Sequence, residues 1–287
     1  MDMKKSILIY GPEGNHGIGI IMREYKKFSR HKITLFSYRG KKEDIEKLKK
    51  MQGDILFTVH TEQIKELRDK FVCYYFLAGV YKNRPKGYYT NLNVPLIVHS
   101  LYGYNSFEKI TGAKCILLKA GVNTQRFKLR EGRVERRKPI FAMAYNPMMS
   151  HRKGTGVISK LNSIGCNAIN LTSIDYEKMP LAYQSIDCLI INSPDDGRDV
   201  CHMPGLEAGS CGIPVITTPV GIASEIIKDD LGYIVNNEEQ IIEICKKHKD
   251  NSELIEIGKK YAKVVRSEYC WEKRVEDWDN FFDNARE

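Results

Sequence analysis

Glu207 is a single carboxylate in front of a run of small residues, Ala208, Gly209, Ser210, Cys211 and Gly212. Upstream lie an apolar run, Cys188 to Ile191, the polar stretch "NSPDDGRDVCHMPG" and then Pro204, a residue favoured in a first helical turn. This order predicts a strand, a loop and a helix beginning near Pro204, with Glu207 in its first turn at the carboxyl end of the strands. Open α/β sheets hold their ligands there. Free backbone N–H groups suit a phosphate, and an ionised carboxylate, which only accepts, can take both hydroxyls of a ribose. A first-turn carboxylate also stabilises a helix with no ligand at all, and both readings stand.

Two more features could do chemistry. Lys153 precedes Gly154 at the start of a helical pattern running from about Thr155 to Ile164. It is either a fixed positive charge for an anion or an exposed helix-start lysine. Gly11, Gly14, Gly17 and Gly19 follow the first apolar run and enter a helical pattern. Glycines there let the backbone approach a ligand closely, although the spacing is not the G-x-G-x-x-G of dinucleotide sites. No H-E-x-x-H motif or Cys/His cluster asks for a metal, and no cofactor is implied. The eight cysteines contain no C-x-x-C pair, which fits buried reduced thiols in a cytoplasmic protein.

Continuous apolar runs at Ile7–Tyr10, Ile33–Tyr38, Ile55–His60, Phe71–Leu77, Leu96–His99 and Cys115–Ala120 alternate with amphipathic patterns such as Ile18–Phe28 and Glu43–Met51. Such alternation predicts a parallel sheet covered on both faces. The rhythm breaks at "KLREGRVERRK" and resumes from Ile140, so a second α/β half is expected with the boundary inside the charged stretch. Near the end, Trp271, Val275, Trp278 and Phe282 fall on one face of a helix. The opening apolar run is too short for a secretion signal or a membrane span. Charge is uneven: residues 1–130 hold 25 Lys and Arg against 11 Asp and Glu, while the remainder is net acidic. A basic front half attracts an anionic substrate, a membrane surface or nucleic acid, unless "KKEDIEKLKK" is only a solvated helix face.

The segment "PGLEAGSCGIPVITTPVGIASEII" resembles the signature of the retaining GT-B glycosyltransferases of family 4, an acidic residue, seven residues, a Glu, a small-residue turn and Gly-x-Pro-Val. "LLKAGVNTQRF" is similar to that family's strand and turn closing the first domain, "HRKGTGVISKL" to its Lys-Gly turn, and "MPLAYQSIDCLIINSP" to its "LPxxYxxADxxxxPS" stretch. The four stand in the family's order. The resemblance is firm over about residues 114–280 and weak before that.

The resemblance implies two facing Rossmann-like domains with parallel sheets: residues 1–130 for the acceptor, 131–265 for a nucleotide-sugar donor, and a terminal helix, 266–287, crossing back to the first. Glu207 would hold the donor ribose. Asp199, where the family usually has Glu, would contact the donor sugar, and Lys153 would neutralise the leaving diphosphate. Met148 stands where the family's Arg is usual, so the diphosphate clamp is incomplete unless Arg152 or Arg198 substitutes. Backbone N–H groups from Val200 through Cys201 and His202 to Met203 would face the sugar and pyrophosphate, and Gly17 would lie near the diphosphate. His60, or alternatively His99, would be the histidine brought to the reacting sugar, unless either is a satisfied core residue.

The implied activity is retaining, metal-independent transfer of a hexose-type sugar from a UDP- or GDP-linked donor. The acceptor hydroxyl would sit on an anionic lipid, a glycan or another membrane-surface acceptor, with the protein cytoplasmic and peripheral to the membrane. The alternative from another class is a non-catalytic GT-B-like module binding nucleic acid or an anionic surface through its basic half.

Overall fold

The computed structural model describes residues 4–11, 17–37, 42–59, 61–76, 87–132, 135–195, 201–228 and 230–285. Two compact units are present, one formed by Met1–Gly121 with Trp271–Glu287 and the other by Val122–Cys270.

Unit 1 alternates strands and helices as the apolar periodicity predicts: β1 (Ser6–Gly11), α1 (Gly17–Phe28), β2 (Lys32–Ser37), α2 (Lys42–Lys50), β3 (Ile55–Thr58), α3 (Thr61–Leu67), β4 (Val72–Phe76), β5 (Leu96–Val98), α4 (Leu101–Thr111) and β6 (Cys115–Leu117). The strands form one parallel sheet in the order β2-β1-β3-β4-β5-β6. All four residues of β3 are buried, as a strand covered on both faces requires. Ser100 caps α4, its Oγ accepting from the Gly103 amide at 2.9 Å, and Gly112 closes that helix at a φ of 65°.

Unit 2 repeats the scheme with β7 (Ile140–Ala144), α5 (Gly156–Ser163), β8 (Asn167–Leu171), α6 (Met179–Gln184), β9 (Cys188–Ile191), α7 (Met203–Ser210), β10 (Val215–Thr217), α8 (Ala223–Ile226), β11 (Tyr233–Ile234), α9 (Glu238–Lys247) and α10 (Ser252–Glu268). Its parallel sheet runs β11-β10-β9-β7-β8. Central β9 is buried throughout, whereas edge strand β8 buries only Ala168 and Leu171. Asp187, fully buried just before β9, accepts from the Ile140 amide (2.9 Å), Arg136 Nη1 (3.0 Å) and Asn251 Nδ2 (2.9 Å). One carboxylate thus ties the start of β7, the approach to β9 and the residue before α10, and these three partners are all donors, as burial of a carboxylate requires.

The last helix, α11 (Trp271–Asp283), packs on α1 in unit 1. Its predicted apolar face is buried, Trp271, Trp278 and Phe282 completely. The Tyr25 ring lies 4.8 Å from that of Trp278, and Trp278 Nε1 donates to the Lys119 carbonyl at 2.9 Å. Beside it, buried Asp279 accepts from Tyr25 Oη (2.8 Å), Ser29 Oγ (2.6 Å) and the Arg30 amide (2.9 Å). Burial pushes the Tyr25 phenol far above its ordinary range, so it remains a donor. Residues 266–268, expected to open this helix, instead complete α10.

All eight cysteines are free thiols, and no helix among the described residues is long and apolar enough to cross a membrane.

Candidate functional site

The small residues around Glu207 have a packing cause. A Cβ on Gly209 would stand 2.5 Å from Tyr261 Cε1, and one on Gly205 2.9 Å from the Ala223 Cβ. Only bare backbone lets α7 lie this close to α10 and α8, and Tyr261 Oη then donates to the Gly205 carbonyl at 3.2 Å. The close approach places α7 against β9 and β10.

α7 begins at Met203, so Glu207 stands in its second turn and not, as the sequence suggested, in its first. The helix starts one residue before Pro204 because His202 turns the chain with left-handed backbone at a φ of 50°. Glu207 is 3% exposed, and its Oε2 accepts from Tyr183 Oη of α6 at 2.9 Å. Tyr183 is itself wholly buried; desolvation first and the neighbouring carboxylate second raise its pKa well above the ordinary phenol value. The pair is therefore a neutral donor on a buried carboxylate.

Lys153 is carried by the segment between β7 and α5. After β7, Asn146 caps a 3-10 helix, Pro147–Arg152, its Oδ1 accepting from the Met148 amide at 3.0 Å. Lys153 ends that helix and Gly154 follows at a φ of 57°. A side chain at Gly154 would be strained by this backbone and would collide with Asn192, which explains the glycine after the lysine. Lys153 Nζ donates to Ser193 Oγ at 3.1 Å, and Asn192 Nδ2 donates to the Gly154 carbonyl at 3.1 Å. Two side chains just past β9 thereby clasp the Lys-Gly turn. Neither was singled out in the sequence; the signal was that Asn192-Ser193 stands where the resembled family carries Pro-Ser.

Of the remaining candidates, Cys201 is half-buried, and burial pushes its thiol pKa up. Cys201 Sγ lies 3.8 Å from Met203 Sδ, and the Met203 side chain is buried at 4% exposure. His202 lends its carbonyl to the Gly205 amide at 3.0 Å. Gly17 opens α1, with no atom of the described residues within 4 Å of the space a Cβ would fill. Arg152 ends the 3-10 helix, but its side chain is outside the described residues. Asp199, Val200, Arg198 and His60 also lie outside them.

His99, the alternative strand-end histidine, is a core residue. It is 1% exposed, stacks on Trp278 at 5.3 Å with rings 6° from parallel, and shares a hydrogen bond of 2.7 Å between Nδ1 and the Leu118 carbonyl. Burial brings its pKa down to about 4, so the ring is neutral near pH 7.

A groove of about 650 Å³ in unit 2 is lined by residues including Lys128, Leu129, Arg130, Leu181 and Gln184, none of them a site candidate. No group of three or more His, Cys, Asp and Glu that could hold a metal ion occurs among the described residues.

Residues 163–264 match the family model described as glycosyl transferases group 1, a span that contains Glu207 and both residues clasping Lys153. No curated protein matches the sequence. Among solved structures, HepE of Anabaena in complex with UDP is 11% identical with a TM-score of 0.73, over 98% of this chain and 99% of that one. A glycosyltransferase of Rickettsia africae is 17% identical with a TM-score of 0.74, over 98% of each chain. Sucrose-phosphate synthase of Thermosynechococcus elongatus is 11% identical with a TM-score of 0.70, over 97% of this chain and 98% of that one. At these identities the likeness is one of fold, and the fold is that of the GT-B glycosyltransferases, as the sequence motifs implied.

Proposed function

We propose that this chain is a retaining glycosyltransferase that moves a hexose-type sugar from a nucleotide diphosphate sugar to an acceptor hydroxyl without a metal. The observation that carries the reading is the Lys153-Gly154 turn clasped to the end of β9, the strand against which α7 packs with Glu207. A UDP-linked donor comes first, since HepE of Anabaena has been solved with UDP and with UDP-glucose, and a GDP-linked donor second.

Departure of the nucleotide diphosphate leaves negative charge on a phosphate oxygen while the sugar carbon becomes oxocarbenium-like. A fixed ammonium and helix N–H groups aimed at that oxygen stabilise the charge as it develops. Lys153 and the amino end of α7 fill these roles. Glu207 accepts ribose hydroxyls, Arg152 supplements Lys153, and the backbone of Val200 to Met203 lines the sugar and pyrophosphate. Asp199 and His60 contact the transferred sugar, and Gly17 lets its backbone approach the diphosphate. An acceptor bearing phosphate or lying at a membrane surface suits the basic first 130 residues and a protein working at the cytoplasmic membrane face.

The burial of Glu207 favours a second reading, in which it only receives the Tyr183 hydroxyl. Calorimetric titration with UDP, GDP and ADP separates the two, using the wild type and Glu207→Gln, which retains an acceptor for Tyr183. One diphosphate should bind, and the variant should weaken it about tenfold through loss of a charge-assisted hydrogen bond. Absence of binding to all three by a protein with a cooperative melt would make Glu207 a packing residue and remove the donor site.

A further inference from the structure

The two residues just past β9 were left without a task by the motif resemblance, and their geometry gives them one. Ser193 is 2% exposed and its backbone is fixed on both sides: its amide donates to Thr218 Oγ1 at 3.2 Å and its carbonyl accepts from that hydroxyl at 2.7 Å. The backbone that carries the Ser193 hydroxyl is therefore fixed, and Lys153 reaches that hydroxyl at 3.1 Å. Asn192 holds the backbone of the same turn through the Gly154 carbonyl, and its amide also lies 3.3 Å from Glu238 Oε1. The other oxygen of Glu238 pairs with Lys160 at 2.5 Å.

We propose that Asn192 and Ser193 are positioning residues for Lys153, presenting its ammonium to the diphosphate of a nucleotide ligand. The proposal rests on the donor-site reading above. Its physical core is the choice of a hydroxyl. A carboxylate at position 193 would hold Lys153 more tightly but would cancel the charge that a diphosphate needs. A hydroxyl restrains the flexible four-carbon stem without adding a negative charge of its own. Restraint in advance of binding lessens the side-chain entropy lost on binding.

The test is a double-mutant cycle on Ser193→Ala and Lys153→Ala, read by calorimetry with whichever of UDP, GDP and ADP the wild type binds most tightly and with its monophosphate. Ser193→Ala should weaken the diphosphate about fivefold and leave the monophosphate unchanged. In the Lys153→Ala background the same substitution should change nothing, because the group it positions is gone. Equal weakening of both nucleotides, weakening that persists without Lys153, or unchanged or tighter diphosphate binding in the single variant would each overturn the positioning role while leaving the donor site standing. A folded wild type that binds no nucleotide would overturn the donor site and this proposal with it, a result visible before any variant is made.

Discussion

Each unit places a basic side chain in the segment that follows a parallel strand, and the two fates differ. In unit 1, His99 follows β5 and is sealed beneath Trp278, neutral and structural. In unit 2, Lys153 beyond β7 stays half-buried, restrained by a hydroxyl. A strand-end position is therefore no guide to role until the covering element is known. Unit 1 gains its cover from α11, with Asp279 gathering three donors on one carboxylate. Unit 2 is held by the opposite device, glycines that admit a neighbouring helix.

Both tryptophans of the chain lie in unit 1, so their fluorescence reports that unit alone and the comparison can be broken one side at a time. The largest effect is expected from Asp279→Ala, which strands three donors and should cost about 4 kcal/mol, lowering the midpoint followed by tryptophan fluorescence. Gly209→Ala should cost about 3 kcal/mol by overpacking against Tyr261, lowering a far-UV transition while the tryptophan transition stays put. If both substitutions move both transitions together, the units are one cooperative body and the contrast fails.

The smallest effect sharpens the contrast through pH. The unfolded chain protonates a histidine near the ordinary value of about 6.5, above the value of about 4 that holds for folded His99. Stability is therefore lost as pH falls through this window and levels off below it, with about 2 kcal/mol lost between about pH 7 and about pH 5. His99→Phe should abolish that component of the acid sensitivity seen in urea titrations of tryptophan fluorescence. An unchanged pH slope in the variant would mean that His99 is not the group responsible.

What was legible in the sequence is what local periodicity can carry. Apolar runs marked the strands, and the spacing of Trp271, Val275, Trp278 and Phe282 marked a buried helix face. Burial of His99 was not legible because its cover, Trp278, comes far later in the chain. The glycines beside Glu207 gave no local sign of their cause, Tyr261 on a helix not yet reached. The one-turn error in placing Glu207 came from His202, which takes left-handed backbone without being the glycine or asparagine that would have announced it. Tyr183 stood in a quoted motif, but nothing local linked it to Glu207.

The assignment of α11 to unit 1 also reverses the order of assembly. During synthesis the strands of unit 1 emerge first, yet Tyr25, Phe57 and His99 have no cover until Trp278 and Phe282 leave the ribosome, after all of unit 2. Unit 2 is continuous in sequence, and Val122 bridges to Cys270 where the segment begins and ends. It can close while its predecessor waits. The first unit made is the last one finished, and an arrested chain lacking its final helix displays an aromatic surface to chaperones and aggregation alike.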